Sequence, residues 1–309
     1  MEVSSHAVDQ DRIKGVEFAG GIFTNLTHEH LDYHLTMDKY LEAKKKFFDL
    51  LPPFSFALIN KDDEHWQAIS KDISAKVSSY SLNQEADFIA KILEMNLSGT
   101  KILIDNKEIK SNLVGLFNVY NLLAVYGAAD LLGMPKEKIF NLLSKLEPVR
   151  GRLELVRGGS VLGIIDYAHT PDALKKVLET LNDLKTSGQK IVCVVGAGGD
   201  RDRTKRPVMA KLASDLAQIV ILTSDNPRSE DPLEIIKEMR QGIKAEDASE
   251  IYEISDRKEA IFKAVSLAGI DGVVILLGKG HETYQEIAGK RYPFDDKQVP
   301  EEAMSRSSL

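Results

Sequence analysis

Lys190-Ile191-Val192-Cys193-Val194-Val195-Gly196-Ala197-Gly198-Gly199-Asp200-Arg201-Asp202-Arg203 decides the fold of the C-terminal half. A β-branched apolar run of strand length passes directly into a glycine-rich, charged loop, and residues 206–217 then repeat apolar side chains three and four apart. Strand, loop and helix follow in succession. The same pattern extends to either side. Strands are expected at 161–167, 190–195, 218–224, 250–254 and 272–278, with helices at 171–185, 206–217, 232–243 and 256–268. In the first of these helices Ala173, Leu174, Val177, Leu178 and Leu181 form a plain apolar stripe. Pro171 and Pro232 fall at first helical turns and Asp256 at an N-cap. Such alternation implies an α/β fold: a mostly parallel sheet with helices on both faces. Residues 283–296, with tyrosine and isoleucine around Ala288-Gly289-Lys290, read as a hairpin.

The bulk properties narrow the class. A chain of 309 residues suits about two domains. Hydrophobic residues at 43% and charged residues at 28% are ordinary for a soluble globular protein. The net charge is −7 with no basic face, so nucleic acid is not an expected partner. Apolar runs such as 191–195 and 273–277 fall far short of a bilayer span, and no membrane association is expected. Met1-Glu2-Val3-Ser4-Ser5-His6 has neither the basic nor the apolar region of a signal peptide. The single cysteine, Cys193, excludes a disulfide framework and fits a reducing cytoplasm; within its apolar run it reads as a small buried hydrophobe.

The N-terminal half is less regular. Residues 21–24 read as the end of a strand, 37–51 as a helix with Tyr40, Leu41, Ala43, Phe47 and Phe48 on its apolar face, and 56–60 as another strand. Pro52-Pro53 stops the helix. Alternation over 77–110, with turn signals at Gly99 and Asn106, predicts a small antiparallel set. Residues 118–132 and 136–146 form a helical pair, and the boundary falls at 148–151, giving units 1–150 and 151–309.

In open parallel sheets, ligands bind outside the carboxyl ends of the strands. Four of the C-terminal strands end in polar or glycine-rich loops: Asp166-Tyr167-Ala168-His169-Thr170-Pro171, the 196–203 loop, Ser224-Asp225-Asn226-Pro227-Arg228, and Gly278-Lys279-Gly280-His281-Glu282. A polar loop alone favours a structural role; four meeting at one sheet edge favour a crevice rich in arginine and backbone N–H groups, suited to an anion. The 196–203 loop is a weak dinucleotide fingerprint, because Arg201 takes the place of the third glycine. Arg201 and Arg228 read better as forks for carboxylate or phosphate. In the other half, His28, His30 and His34 suggest zinc at first sight. Their spacing is not that of a helical ligand pair and no second cluster completes four ligands, so His28 and His34 read as satisfied core or surface residues. Magnesium prefers oxygen, which makes Glu2 the better metal candidate.

These loops join further motifs: Glu2-Val3-Ser4-Ser5-His6, Thr24-Asn25-Leu26 leading to His30-Leu31-Asp32-Tyr33-His34, Glu42-Ala43-Lys44, Phe117-Asn118-Val119-Tyr120-Asn121 and Gly151-Arg152-Leu153-Glu154. Together, and in this order, they resemble the Mur ligase family, and within it the MurE type. The resemblance implies the later part of a central α/β ATPase domain over 1–150, followed by a Rossmann-like amino-acid-binding domain over 151–309. It implies a cytoplasmic, monomeric, ATP- and Mg2+-dependent ligase of peptidoglycan precursor synthesis. ATP phosphorylates the terminal carboxylate of UDP-MurNAc-L-Ala-D-Glu to an acyl phosphate, the amine of meso-diaminopimelate attacks, and phosphate leaves. The protein contributes charge neutralisation and positioning.

Residue roles follow from the same resemblance. Ser4, Gln10 and Arg12 match positions that hold the UDP-MurNAc-dipeptide, and Glu2 and His30 match magnesium ligands. Lys44 matches the lysine that the family carbamylates into a carboxylate-like metal ligand; with His30 it forms the catalytic set. Lys45 and Lys46 are turned away from it by the helix and read as a solvated basic face. Asn118 and Asn121 match adenine-side contacts, with helix N-capping as the alternative. Arg152 and Asp166 match nucleotide contacts and imply closure over ATP, with His169 as a further contributor. Arg201, Asp225, Asn226, Pro227, Arg228, Gly278 and Glu282 match the amino-acid site. Diaminopimelate carries a carboxylate at its far end that lysine lacks, and an arginine grips a carboxylate with two parallel N–H bonds. Glu282 would pair with the ligand's amino group.

The family's phosphate loop, Gly-Thr-x-Gly-Lys-[Thr/Ser], does not occur in these 309 residues. Gly278-Lys279-Gly280 is the nearest candidate, and it comes late and lacks the preceding glycine spacing. The expectation is a C-terminal fragment without the N-terminal domain and phosphate loop, unable by itself to turn over ATP. Its first half would be marginal alone, with an exposed sheet edge, and residues 151–309 would fold independently. The competing readings are a non-catalytic diaminopimelate-binding module, a lysine-adding MurE and a folylpolyglutamate synthase. Asp225-Asn226-Pro227-Arg228 speaks against the last two.

Overall fold

The computed structural model describes residues 1–27, 31–244 and 249–306 and divides into two units, Met1–Glu147 and Pro148–Leu309. The first contains, in chain order, α1 (Ser5–Asp9), β1 (Gly20–Phe23), α2 (Leu31–His34), α3 (Met37–Asp49), β2 (Phe56–Asn60), α4 (Trp66–Ser70), β3 (Lys76–Ser81), β4 (Phe88–Asn96), β5 (Gly99–Ile104), β6 (Lys107–Ser111), α5 (Leu116–Leu131) and α6 (Lys136–Leu143). Its six strands form one sheet in the order β1-β2-β3-β4-β5-β6. Because side chains alternate along a strand, β2 feeds two cores. Phe56 and Leu58 join α5 and α6 on one face, and Ala57 and Ile59 join α1 and α3 on the other. Thr36 caps α3 through a hydrogen bond from the Lys39 N–H.

The antiparallel expectation for 77–110 needs correction. Only β4, β5 and β6 run antiparallel; β3 pairs parallel with both β2 and β4. Alternating polarity marks one buried face and carries no information about strand direction, which is set by the connections. The β2–β3 link holds α4 and returns parallel, whereas tight turns at Gly99 and at Asp105-Asn106, both with positive φ, force reversal. β1 lies at the edge of the sheet, with Ile22 partly exposed on it.

The second unit contains β7 (Glu154–Gly158), β8 (Val161–Asp166), α7 (Pro171–Leu184), β9 (Ile191–Ala197), α8 (Lys205–Leu216), β10 (Ile219–Ser224), α9 (Pro232–Arg240), β11 (Glu250–Glu253), α10 (Arg257–Ala268), β12 (Val273–Leu277), β13 (Tyr284–Ile287), β14 (Lys290–Pro293) and α11 (Gln298–Arg306). The sheet order is β11-β10-β9-β12-β8-β7, parallel except for β7. β7 was not foreseen, nor was α11, which packs on it. Val192 and Val194 face the core shared with α10 and α11; the buried residues between them face the opposite side, where α8 and α9 contact β9 and α7 packs on α8. Thr170, Asp231 and Asp256 cap their helices through side-chain oxygens, with Pro171 and Pro232 at first turns. The predicted hairpin forms as β13–β14.

The sheet order has one consequence for function. β10, β9, β12 and β8 are consecutive neighbours and all parallel, so the four loops that leave their carboxyl ends share one edge.

Candidate functional site

At that edge the loops are bound to one another through their backbones. Gly199 N–H donates to the Asn226 carbonyl (2.9 Å), Gly278 N–H to the Asp166 carbonyl (3.2 Å), and Tyr167 N–H to the Gly151 carbonyl (2.9 Å). Close approach explains the glycines. A Cβ on Gly199 would lie 1.9 Å from the Pro227 oxygen, and one on Gly278, whose φ is +109°, would lie 2.5 Å from the Asp225 carboxylate. The loop after β9 is held from beneath by Arg206. This fully buried side chain donates to Glu230 (2.8 and 2.9 Å), to Glu238 (2.7 Å) and to the Gly198 carbonyl (3.2 Å). The Arg206 guanidinium draws the Glu230 carboxyl down to about 2, against the opposing effect of burial.

The residues matched to the amino-acid site come together here. Arg201 and Arg228 flank Gly198: a Cβ there would sit 2.9 Å from an Arg228 guanidinium nitrogen and 3.8 Å from Arg201 Cγ. Arg228 adopts φ +52°, donates from its side chain to the Gly199 carbonyl (2.7 Å), and bridges to Ile287 of the hairpin. Below it lies a polar cluster. Asn226 Nδ2 donates to Glu282 Oε2 (2.8 Å); Lys279 Nζ, fully buried, donates to Asn226 Oδ1 and to Glu282 Oε2, each at 3.1 Å; Asp225 Oδ1 is 3.8 Å from Lys279. Gln285 donates to the Asp225 carbonyl (2.7 Å), which ties the hairpin to the cluster. Burial pushes the Asp225 carboxyl up, opposed by Arg257 and Lys279. Pro227 is buried between Asn226 and Arg228 and accepts the Glu230 N–H through its carbonyl (3.0 Å).

The nucleotide-matched pair behaves differently. Asp166 accepts the Leu153 N–H (2.9 Å) and the Ala168 N–H (2.8 Å), one on each oxygen, and burial raises its carboxyl against these bonds. Its role within the described structure is to join the 151–154 turn to the end of β8. Arg152 is exposed with its guanidinium 5.5 Å from the Tyr167 ring, beside which His169 and His281 also lie (4.7 and 5.1 Å).

In the first unit a cavity of about 530 Å³ opens beside β1, lined among others by Glu2, Ser4, Gly21, Thr24, Tyr40 and Lys44. α3 places Lys44 there, 5.1 Å from the Tyr40 ring, while Lys45 turns to Asp49 (2.5 Å) and Lys46 to Asp11 (4.0 Å). Ser4 caps α1 by accepting the Ala7 N–H (3.2 Å). Gln10 and Arg12 do not line this cavity; both are exposed and pair with each other. His34 is buried, with Nε2 2.8 Å from Ser5 Oγ and its ring stacked on Tyr40, so it serves the core. His28 and His30 lie outside the described residues. Among the described residues no group of three or more His, Cys, Asp or Glu could hold a metal. On α5, Asn118 donates to the Val114 carbonyl (2.9 Å) and Asn121 to Asn118 (3.3 Å); Gly115 is the N-cap, so neither asparagine caps the helix.

Two residues escaped sequence reasoning. In sequence Lys279 lies in the loop after β12 and Arg206 at the start of a helix, and neither is marked as a buried partner of the acids. The glycines on both sides of Lys279 signal a tight loop, without the direction in which the side chain between them turns.

The class is thus an α/β protein of Rossmann-like type in its second unit, with arginines and acids gathered at the carboxyl ends of its parallel strands. Comparison with known proteins specifies it. The Mur ligase middle domain matches residues 1–129, and the Mur ligase glutamate ligase domain matches residues 151–280. The chain belongs to the Mur ligase family. It is 50% identical over 305 residues to the UDP-N-acetylmuramoyl-L-alanyl-D-glutamate–2,6-diaminopimelate ligase of Cytophaga hutchinsonii, covering 98% of this chain and 63% of that protein. It is 49% identical over 303 residues to the protein of the same name from Bacteroides thetaiotaomicron, covering 98% and 63%. A solved structure of a ligase with that name superposes with a TM-score of 0.72 at 39% identity, covering 100% of this chain and 64% of the other. The chain therefore spans just under two thirds of the length of these relatives. Among the described residues no helix is long and apolar enough to cross a membrane.

Proposed function

We propose that this chain supplies the amino-acid-binding site and part of the central domain of a cytoplasmic ATP-dependent ligase that adds meso-diaminopimelate to UDP-MurNAc-L-Ala-D-Glu. The observation that carries the reading is that the Arg228 guanidinium and Arg201 Cγ both lie against Gly198, at the sheet edge that also carries the Asn226–Lys279–Glu282 cluster. Cations for a carboxylate and an acid for an ammonium stand next to each other, as the amine and carboxylate on one carbon of a diamino acid require. Among the described residues the Arg201 side chain makes no hydrogen bond or ion pair, and the Glu282 side chain bonds only through Oε2. Both therefore have capacity for a ligand.

The reaction is the formation of an amide through an acyl phosphate. The dipeptide carboxylate takes the terminal phosphoryl group of ATP, the amine of diaminopimelate attacks the acyl carbon and loses its proton, and phosphate leaves. The residues lining the first unit's cavity fit a magnesium ion in kind: Glu2 offers carboxylate oxygen, and Lys44 offers carbamate oxygen once carbamylated. Magnesium there would neutralise phosphate charge. Ser4 borders the same cavity, and Ser4, Gln10 and Arg12 are assigned to the UDP-MurNAc-dipeptide. Asn118 and Asn121 are assigned to adenine, and Arg152, stacked near Tyr167, to the nucleotide. Since the phosphate-cradling motif is not in these 309 residues, this polypeptide on its own is expected to bind diaminopimelate without turning over ATP.

Calorimetric titration tests the assignment. The chain should bind meso-diaminopimelate at least tenfold more tightly than lysine, because lysine held with its α-carbon at the reacting end brings an ammonium and no carboxylate to the two arginines. Equal affinity for the two would refute it, and preference for lysine would favour the lysine-adding alternative. Diaminopimelate-dependent phosphate release by the isolated chain, with ATP and the UDP-dipeptide supplied, would refute the inactivity.

A further inference from the structure

We propose that Lys279 is a positioning residue that sets Glu282 and Asn226 to receive the amine of the incoming amino acid, an inference that rests on the amino-acid site assigned above. The chain turns Lys279 inward because both flanking residues are glycines with positive φ, +109° at Gly278 and +53° at Gly280. A Cβ at Gly280 would lie 2.6 Å from the Tyr167 side chain and one at Gly278 2.5 Å from the Asp225 carboxylate, so neither flank tolerates a side chain. Lys279 is fully buried, with Nζ 5.7 Å from the Tyr284 ring centroid. A lysine seldom occupies such a place unless paired. Here the partners are Asn226 Oδ1 and Glu282 Oε2, each at 3.1 Å, with Asp225 Oδ1 at 3.8 Å.

The geometry has two effects on the acid that meets the ligand. First, Asn226 Oδ1 accepts from both Lys279 and the Glu286 N–H (2.9 Å), so the amide can point only its Nδ2 at Glu282. Second, Glu282 Oε2 accepts from both Asn226 and Lys279, leaving Oε1 as the oxygen without a partner among the described residues. The carboxylate is held at one oxygen and presents the other. Lys279 also places its positive charge between two acids, 3.1 Å from Glu282 and 3.8 Å from Asp225. Without it, Glu282 would lose one of the two donors that fix Oε2 and would swing, and an ammonium would meet no positioned counter-ion.

The test is calorimetry on the full 309-residue chain with two ligands, meso-diaminopimelate and pimelate, which keeps both carboxylates and carries no amine. Lys279→Met is expected to weaken diaminopimelate at least tenfold and pimelate less than twofold, with Lys279→Arg recovering part of the loss. In a Glu282→Gln background, Lys279→Met is expected to change diaminopimelate affinity less than twofold, because the residue acts through that acid. This double variant also removes acid and base together, and remains readable if Lys279→Met alone does not fold. An unchanged diaminopimelate affinity in Lys279→Met, equal losses for both ligands, or a further tenfold loss in the Glu282→Gln background would each overturn the proposal. Failure of the unmutated chain to bind diaminopimelate would overturn the site assignment itself, and that result is visible before any substitution is made.

Discussion

At the scale of single residues, Arg228 and Gly278 make the strongest claims. Arg228 holds a positive φ that only the surrounding bonds stabilise, and its side chain faces Gly198 and Gly199. Arg228→Ala is expected to weaken diaminopimelate binding by about 10- to 100-fold, the worth of a charge-assisted fork. Binding of the nucleotide should stay within twofold; calorimetry with each ligand separates the two, and equal losses would refute the assignment. Gly278→Ala adds strain at φ +109° and a contact of 2.5 Å with Asp225. It should cost about 1–3 kcal/mol of stability, measurable as a lower urea midpoint. Glycine and arginine were legible at these positions from the motif; Lys279 was not, because a lysine between glycines in sequence looks the same whether it points to solvent or to the core.

Among elements, the loop from β9 to α8 depends on Arg206. Its guanidinium is fully buried and spans Glu230, at the start of the α9 region, and Glu238, within α9. Removing one partner of a buried ion pair leaves uncompensated charge, so Arg206→Met should destabilise the chain by about 3–5 kcal/mol in chemical denaturation. The same pair predicts an acid response. Glu230 has a folded value of about 2, lower than an unfolded glutamate. Its contribution is complete above the unfolded value and is lost as pH falls through the folded one, so stability should drop between about pH 5 and pH 2. Denaturation midpoints across that range should fall less steeply for Arg206→Met; parallel curves would show that Glu230 is not the group responsible. Element positions were largely legible because strand and helix periods differ. Strand direction over 76–111 was not, since β3 and β4 share an alternating pattern but enter the sheet through different connections.

For the whole molecule, each unit has cores of its own. Residues 148–309 close a six-stranded sheet between two helical layers, and they are expected to unfold as one cooperative transition when expressed alone. Coincident circular dichroism and fluorescence transitions would support this, and a non-cooperative melt would refute it. The first unit carries β1 at its sheet edge beside an open cavity and Ile22 partly exposed, so it should melt at lower temperature than the second.

Sequence alone determined the alternation of strands and helices in the second unit, the four loops at their ends and the family motifs within them, because period, capping residues and glycines are local properties. Only tertiary structure decided that β12 inserts between β8 and β9, which brings the 278–282 loop beside the 224–228 loop and joins Lys279 to Asn226 and Glu282. That juxtaposition comes from strand order, and strand order is set by long-range packing that no local window of residues contains.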